Sequence, residues 1–138
     1  CLPIAAKQVK GSYSGTWKGK WVCPGLSAEN VSGKLSFSLS PAGSPEQYKV
    51  AGSMSGSVVP VMTFQGSISG TMGCTALQAS LPDIKVSSGA IIYELRGAMQ
   101  ATYRYTPAST RGFPNGTWTA KEKSGPCSAS GTWIALYQ

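Results

Sequence analysis

The chain has no histidine at all and only five carboxylates among its 138 residues. Without an imidazole, neither a Ser–His–Asp nor a Cys–His arrangement can be assembled, and the commonest zinc ligand is missing. The five acids are Glu29, Glu46, Asp83, Glu94 and Glu122. A glycosidase needs two carboxylates about 5–10 Å apart in a cleft. Here Glu29, Glu46 and Asp83 fall in expected turns and Glu122 ends an expected strand. Glu94 has the opposite parity to Tyr93 and Leu95. They read as solvent-facing charges beside Lys or Arg. No C-x-x-C pair occurs, and no glycine-rich phosphate loop follows a strand and opens a helix. No apolar run approaches the roughly 20 residues of a spanning helix. Catalysis, a metal and a cofactor are therefore not expected.

Helical signals are missing too, since no segment shows a 3.6-residue apolar period with caps. Two-residue alternation is abundant. Leu35, Phe37 and Leu39 share one parity, as do Met62, Phe64, Ile68 and Met72, and then Ile91, Tyr93, Leu95, Met99, Tyr103 and Tyr105. Breakers at Pro24-Gly25, Pro41 to Pro45, Pro60, Pro82-Asp83, Ser87 to Gly89, Pro107 to Pro114 and Gly125-Pro126 divide the chain. The strands expected are 12–22, 32–40, 47–58, 61–73, 76–81, 90–105 (with a break at Gly97), 115–123 and 130–137. Eight strands with short links predict an all-β, antiparallel up-and-down meander closed as a barrel, with a β-sandwich as the alternative. Residues 1–10 form an extended N-terminal tail on this reading, and 11–138 a single domain.

A short motif recurs. Ser14-Gly15-Thr16-Trp17, Asn115-Gly116-Thr117-Trp118 and Ser130-Gly131-Thr132-Trp133 match closely, and Ser69-Gly70-Thr71-Met72 is a partial copy. The spacing is too irregular for a solenoid or propeller. A structural role accounts for it: Gly where strands bend at a barrel wall, Thr on the outer face, Trp filling the adjacent interior. Gly15-Thr16-Trp17 in the first strand resembles the Gly-x-Trp element of small barrels of the lipocalin and avidin kind. Together with an N-terminal Cys1, the Gly/Thr/Trp-rich meander also resembles exported bacterial lipoproteins. The resemblance implies an architecture and transfers no ligand.

The four cysteines, Cys1, Cys23, Cys74 and Cys127, are well separated in a Gly/Ser-rich chain, which predicts disulfides and an oxidising compartment. Cys23 ends the first strand and Cys127 precedes the eighth, so a closed meander puts both at one rim. Cys74 lies at the opposite rim, where the segment from Cys1 enters. The preferred pairing of three is Cys23–Cys127 with Cys1–Cys74. Cys1 has a second reading as a lipid-bearing residue left by signal cleavage; only then is a membrane partner expected. Numbering that opens on a cysteine fits an export signal already removed. The location expected is extracytoplasmic, either secreted or at the cell surface.

The formal charge is +7, from 12 basic residues against 5 acidic. It favours an anionic surface or glycan, although Lys18, Lys20, Lys34, Lys49, Lys85, Lys121 and Lys123 are dispersed and read chiefly as strand solvation and edge protection. Tyr103-Arg104-Tyr105 interleaves aromatic and basic residues as single-strand nucleic-acid platforms do, yet an exported protein is not expected to meet nucleic acid. Asn30-Val31-Ser32 and Asn115-Gly116-Thr117 are glycosylation sequons in a eukaryotic setting. Trp17, Trp21, Trp118 and Trp133 are candidate ligand or core aromatics. Two functions follow: a non-catalytic structural or adhesive surface protein, self-associating as a subunit of an extracellular assembly or filament through the tail residues Leu2, Pro3 and Ile4, or a lipocalin-like carrier of an apolar or anionic small molecule. A filled or hollow interior separates them.

Overall fold

A computed structural model describes residues 9–44, 46–58, 62–105 and 108–138. Eight strands follow in chain order: β1 (Gly11–Val22), β2 (Glu29–Pro41), β3 (Gln47–Val58), β4 (Met62–Gly73), β5 (Ala76–Ser88), β6 (Ile91–Thr102), β7 (Gly112–Glu122) and β8 (Ser128–Tyr137). A 3-10 turn, Ala108–Thr110, precedes β7. Each strand pairs antiparallel with the next, and β1 pairs with β8, so the sheet closes as an up-and-down barrel and not a sandwich. Closure leaves no unpaired edge.

The inward positions explain why this sequence closes. Along β1 they read Tyr13, Gly15, Trp17, Gly19, Trp21, with each aromatic buried. Other strands alternate in the same way: Val50, Gly52, Met54, Gly56 on β3, and Phe64, Gly66, Ile68, Gly70, Met72 on β4. A narrow barrel needs its strands to coil tightly, and glycine permits the approach. At Gly15 an added Cβ would sit 1.7 Å from the Ile134 carbonyl oxygen of β8. The volume the glycines vacate is taken by aromatics from neighbouring strands.

The three Gly-Thr-Trp motifs are in register on adjacent strands. Across β7 and β8, Gly116 faces Trp133, Thr117 faces Thr132, and Trp118 faces Gly131. Across β1 and β8, Trp17 faces Trp133. Each threonine points to solvent and each tryptophan inward. The indole N–H groups are satisfied by strand carbonyls: Trp17 donates to Lys34 and Ser55 at 3.1 Å each, Trp118 to Lys18 at 3.1 Å, and Trp133 to Thr117 at 3.0 Å. The motif is thus an interlocking core device, with the buried polar atom paired as burial demands.

Several strand boundaries differ from expectation. β5 runs through Pro82-Asp83 to Ser88 instead of ending at 81, because a bulge there shifts the register between Leu81 and Ile84 and leaves proline without a ladder duty. β7 likewise begins at Gly112 and carries Pro114 in a bulge between Phe113 and Gly116. β6 passes Gly97 unbroken and stops at Thr102. Asp83 therefore sits in a strand bulge and Glu29 opens β2, where turns had been expected for both.

Candidate functional site

The barrel interior was the first candidate site, and it is full. Trp17, Trp118 and Trp133, with Leu35, Met54, Ile68, Leu81 and Met99, enclose a void of only about 10 Å³, no more than one water needs. Trp17 packs edge-on against Trp118 at 5.5 Å between ring centres and lies 4.9 Å from Phe64. Trp21 stands apart near the rim, edge-on to Tyr93 at 5.4 Å. All four tryptophans are buried core members, and the void that Trp17, Trp118 and Trp133 enclose is too small for a small molecule.

The end at which β1 begins is closed by a second aromatic layer. Tyr13 meets Phe37, Tyr103, Phe113 and Tyr137 within 6.0 Å. Its hydroxyl donates to the Val9 carbonyl at 2.6 Å and contacts the Tyr103 hydroxyl at 3.2 Å. Val9 is fully buried. Leu2, Pro3, Ile4 and Cys1 lie outside the described residues, and with them the extended tail. The Tyr103-Arg104-Tyr105 triplet does not form a platform: Tyr103 faces the core while Arg104 is exposed and its backbone pairs with Gly112.

Burial, and then the mutual hydroxyl contact, push the Tyr13 pKa well above its ordinary value; burial also raises Tyr103. A folded-state value above the roughly 10 of an unfolded tyrosine means the protonated pair stabilises the fold below about pH 10 and that the contribution is lost as pH rises further. Tyr13→Phe is therefore expected to flatten the alkaline fall in stability, at a cost of about 1 kcal/mol near neutrality from the lost hydrogen bond. Urea midpoints at about pH 8 and 10.5 check it; equal alkaline losses in both proteins would refute the assignment.

At the opposite end, Cys23 and Cys127 form a disulfide between the end of β1 and the start of β8. Cys74 is also disulfide-bonded and lies at the Tyr13 end; the expected partner Cys1 is outside the described residues. Of the six large apolar side chains exposed among the described residues, four lie at the barrel end that carries Cys23–Cys127, Val22 and Leu26 where β1 ends and Ile91 and Ile92 where β6 begins, with β7 and β8 between the two pairs. The carboxylates do not converge on a cleft. Asp83 accepts hydrogen bonds from the Ser67 N–H at 2.9 Å and hydroxyl at 2.6 Å, which lowers its pKa. Glu94 faces Lys85 across β5 and β6, and Glu122 accepts the Cys127 N–H at 3.2 Å.

The outer wall is the remaining candidate. Its outward positions are mostly Ser, Thr and Lys, and one lateral row runs Ser14, Ser36, Ser53, Ser67 across β1 to β4. Between β6, β7 and β8 the wall dips into a groove of about 700 Å³ that includes Arg96, Lys121, Lys123, Thr119 and Ser130. Lys20 faces Ser130 and Lys18 faces Thr132 from β1. Lysines dispersed in sequence thus share one wall, because closure sets β1 beside β8. The signal was legible as a shared outward parity, but dispersion along the chain hid it.

No protein-family model, curated protein or solved structure matches the chain. The functional reading rests on its own residues.

Proposed function

We propose that this is a non-catalytic extracytoplasmic surface protein that works through the outside of its barrel, as an adhesive or structural subunit of an extracellular assembly. The filled interior carries this reading: a carrier needs a cavity, and about 10 Å³ admits no ligand. Support comes from the Cys23–Cys127 disulfide, which belongs to an oxidising compartment. The separated carboxylates and the lack of histidine offer no acid–base pair. Two pairs of exposed apolar side chains at the disulfide end, Val22 with Leu26 and Ile91 with Ile92, offer contacts that a neighbouring subunit would cover.

Sedimentation velocity across a concentration series tests the proposal. Reversible self-association is expected, weakened at least about tenfold by Leu26→Ser with Ile92→Ser, since each removes an exposed apolar contact worth on the order of 1 kcal/mol. A separate truncation of residues 2–8, which stops short of buried Val9, reads the share contributed by Leu2, Pro3 and Ile4. A protein monomeric at every attainable concentration would refute the assembly reading.

A further inference from the structure

The β6–β7–β8 groove carries a charge arrangement that folding alone does not favour. Arg96 and Lys121 are direct cross-strand partners. Opposed residues on neighbouring strands hold their Cβ atoms about 4.5–5.5 Å apart, and like charges there are destabilising. Among the described residues neither cation has an ion-pair or hydrogen-bond partner, and both are exposed. Lys123 follows at the groove's end, and Lys20 and Lys18 extend the basic field across β8 onto β1. Two acids lie close. Glu122 is turned back into its own 123–127 loop, where its carboxylate meets the Cys127 N–H and packs against Gly125. Glu94, two residues before Arg96 on β6, faces Lys85 on β5 and, with its carbonyl accepting the Lys123 N–H at 2.8 Å, stands beside Lys123 at the groove's end. Glu94 thus offsets Lys123 at one end, Arg96 and Lys121 remain as the uncompensated cations of the groove, and Thr119, Ser128 and Ser130 offer hydroxyls as hydrogen-bond donors and acceptors.

We propose that this groove binds an anionic polysaccharide, with Arg96 and Lys121 contacting its sulfate or carboxylate groups and the wall hydroxyls contacting its sugar hydroxyls. An arginine fork suits a bidentate oxyanion and lysine a point charge. A ligand bridging the two would offset their repulsion. Single-stranded nucleic acid fits less well, because no aromatic side chain lines the groove to stack a base. A bilayer surface is flat, whereas the cations flank a recess in the side of the barrel. The inference deepens the surface-protein reading by naming the partner's chemistry, and it is independent of whether copies of the chain associate.

The test is calorimetric titration of the full chain with a sulfated oligosaccharide of the heparin type, with polygalacturonate, with neutral dextran and with single-stranded DNA of matched charge. Sulfated or carboxylated chains are expected to bind, and dextran not. Arg96→Gln with Lys121→Gln should weaken binding at least about tenfold and lower the slope of log K against log salt by about two, one per neutralised contact. Lys49→Gln, on β3 and outside the groove, should change neither. The double variant should also melt no lower than the parent at low salt, since it relieves the opposed charges, which separates lost binding from lost folding. Failure of both anionic glycans to bind, or unaltered binding by the double variant, overturns the proposal. DNA binding as tight as the glycans and lost in the same variant also overturns it in favour of unselective polyanion capture. Self-association measured by sedimentation is a separate readout, so either idea can fail alone.

Discussion

Replacing Cys23 and Cys127 together by alanine is expected to lower stability by about 4 kcal/mol. The two residues are 104 apart in sequence, and a loop near 100 residues carries a chain-entropy contribution of roughly 4.7 kcal/mol. Most of this acts on the unfolded chain, which the bridge keeps from spreading its first and last strands apart. The native contribution is local: both sulfurs are buried, and they hold the end of the β1–β8 ladder, where Val22 pairs with Ser128. That ladder is the seam of the barrel, joining the first strand to the last. Total stability for a domain of this size is about 5–15 kcal/mol, so the variant should sit close to its unfolding midpoint at moderate urea. The double substitution leaves Cys1 and Cys74 unchanged and strands no odd thiol from this pair. Urea titration should show a lower midpoint and a steeper dependence, because the unbridged chain exposes more surface. A loss under about 1 kcal/mol would show that the seam needs no clamp and that the unfolded chain is already compact.

Much of this molecule was legible from alternation alone. Eight strands, their order and the placement of Cys23 with Cys127 at one rim all follow from period-two patterning and an up-and-down meander. Closure over a sandwich was not decidable from that pattern, because both architectures bury one face of each strand. The glycines decide it physically: they fall at inward positions beside aromatics, the signature of strands coiled too tightly for a side chain at every site. Bulges were misread for a related reason. Pro82 and Pro114 look like strand terminators, yet a bulge removes the ladder duty that proline cannot fulfil. The Trp residues were ambiguous because a tryptophan that lines a cavity and one that fills it have the same sequence signature. The packed interior separates the two, since Trp17, Trp118 and Trp133 enclose a void of only about 10 Å³. The basic wall was missed because neighbours in a closed sheet are distant in sequence: Lys20 and Lys121 come together only through β8.

The close approach of strands at inward glycines gives the second large effect, with its control built into the fold. Gly15→Ala should cost about 3 kcal/mol or more. The new Cβ would lie 1.7 Å from the Ile134 carbonyl oxygen and 2.9 Å from the Ala135 Cα, so β1 and β8 must part where they join the seam. Backbone cannot rotate aside as a side-chain tip can, and overpacking a dense core usually costs 1–3 kcal/mol and sometimes more. Gly66→Ala is the contrasting case. Its nearest neighbour is the Ile84 Cγ1 at 3.1 Å, a side-chain atom that can shift by a few tenths of an ångström, and the nearest backbone atom, the Ile84 Cα, lies at 3.4 Å, ordinary contact distance. Both glycines sit on inward strand positions, and neither is among the residues of positive φ, so strand propensity treats them alike. Removing a glycine from the unfolded ensemble would by itself stabilise either variant by about 0.4–1 kcal/mol. Gly66→Ala is therefore expected within about 1 kcal/mol of the parent, while Gly15→Ala falls well below it. Paired thermal and urea melts of the two variants decide the matter. Equal effects in both would mean that the seam gives as readily as an isoleucine side chain, and that the inward glycines are not what permits this barrel to close.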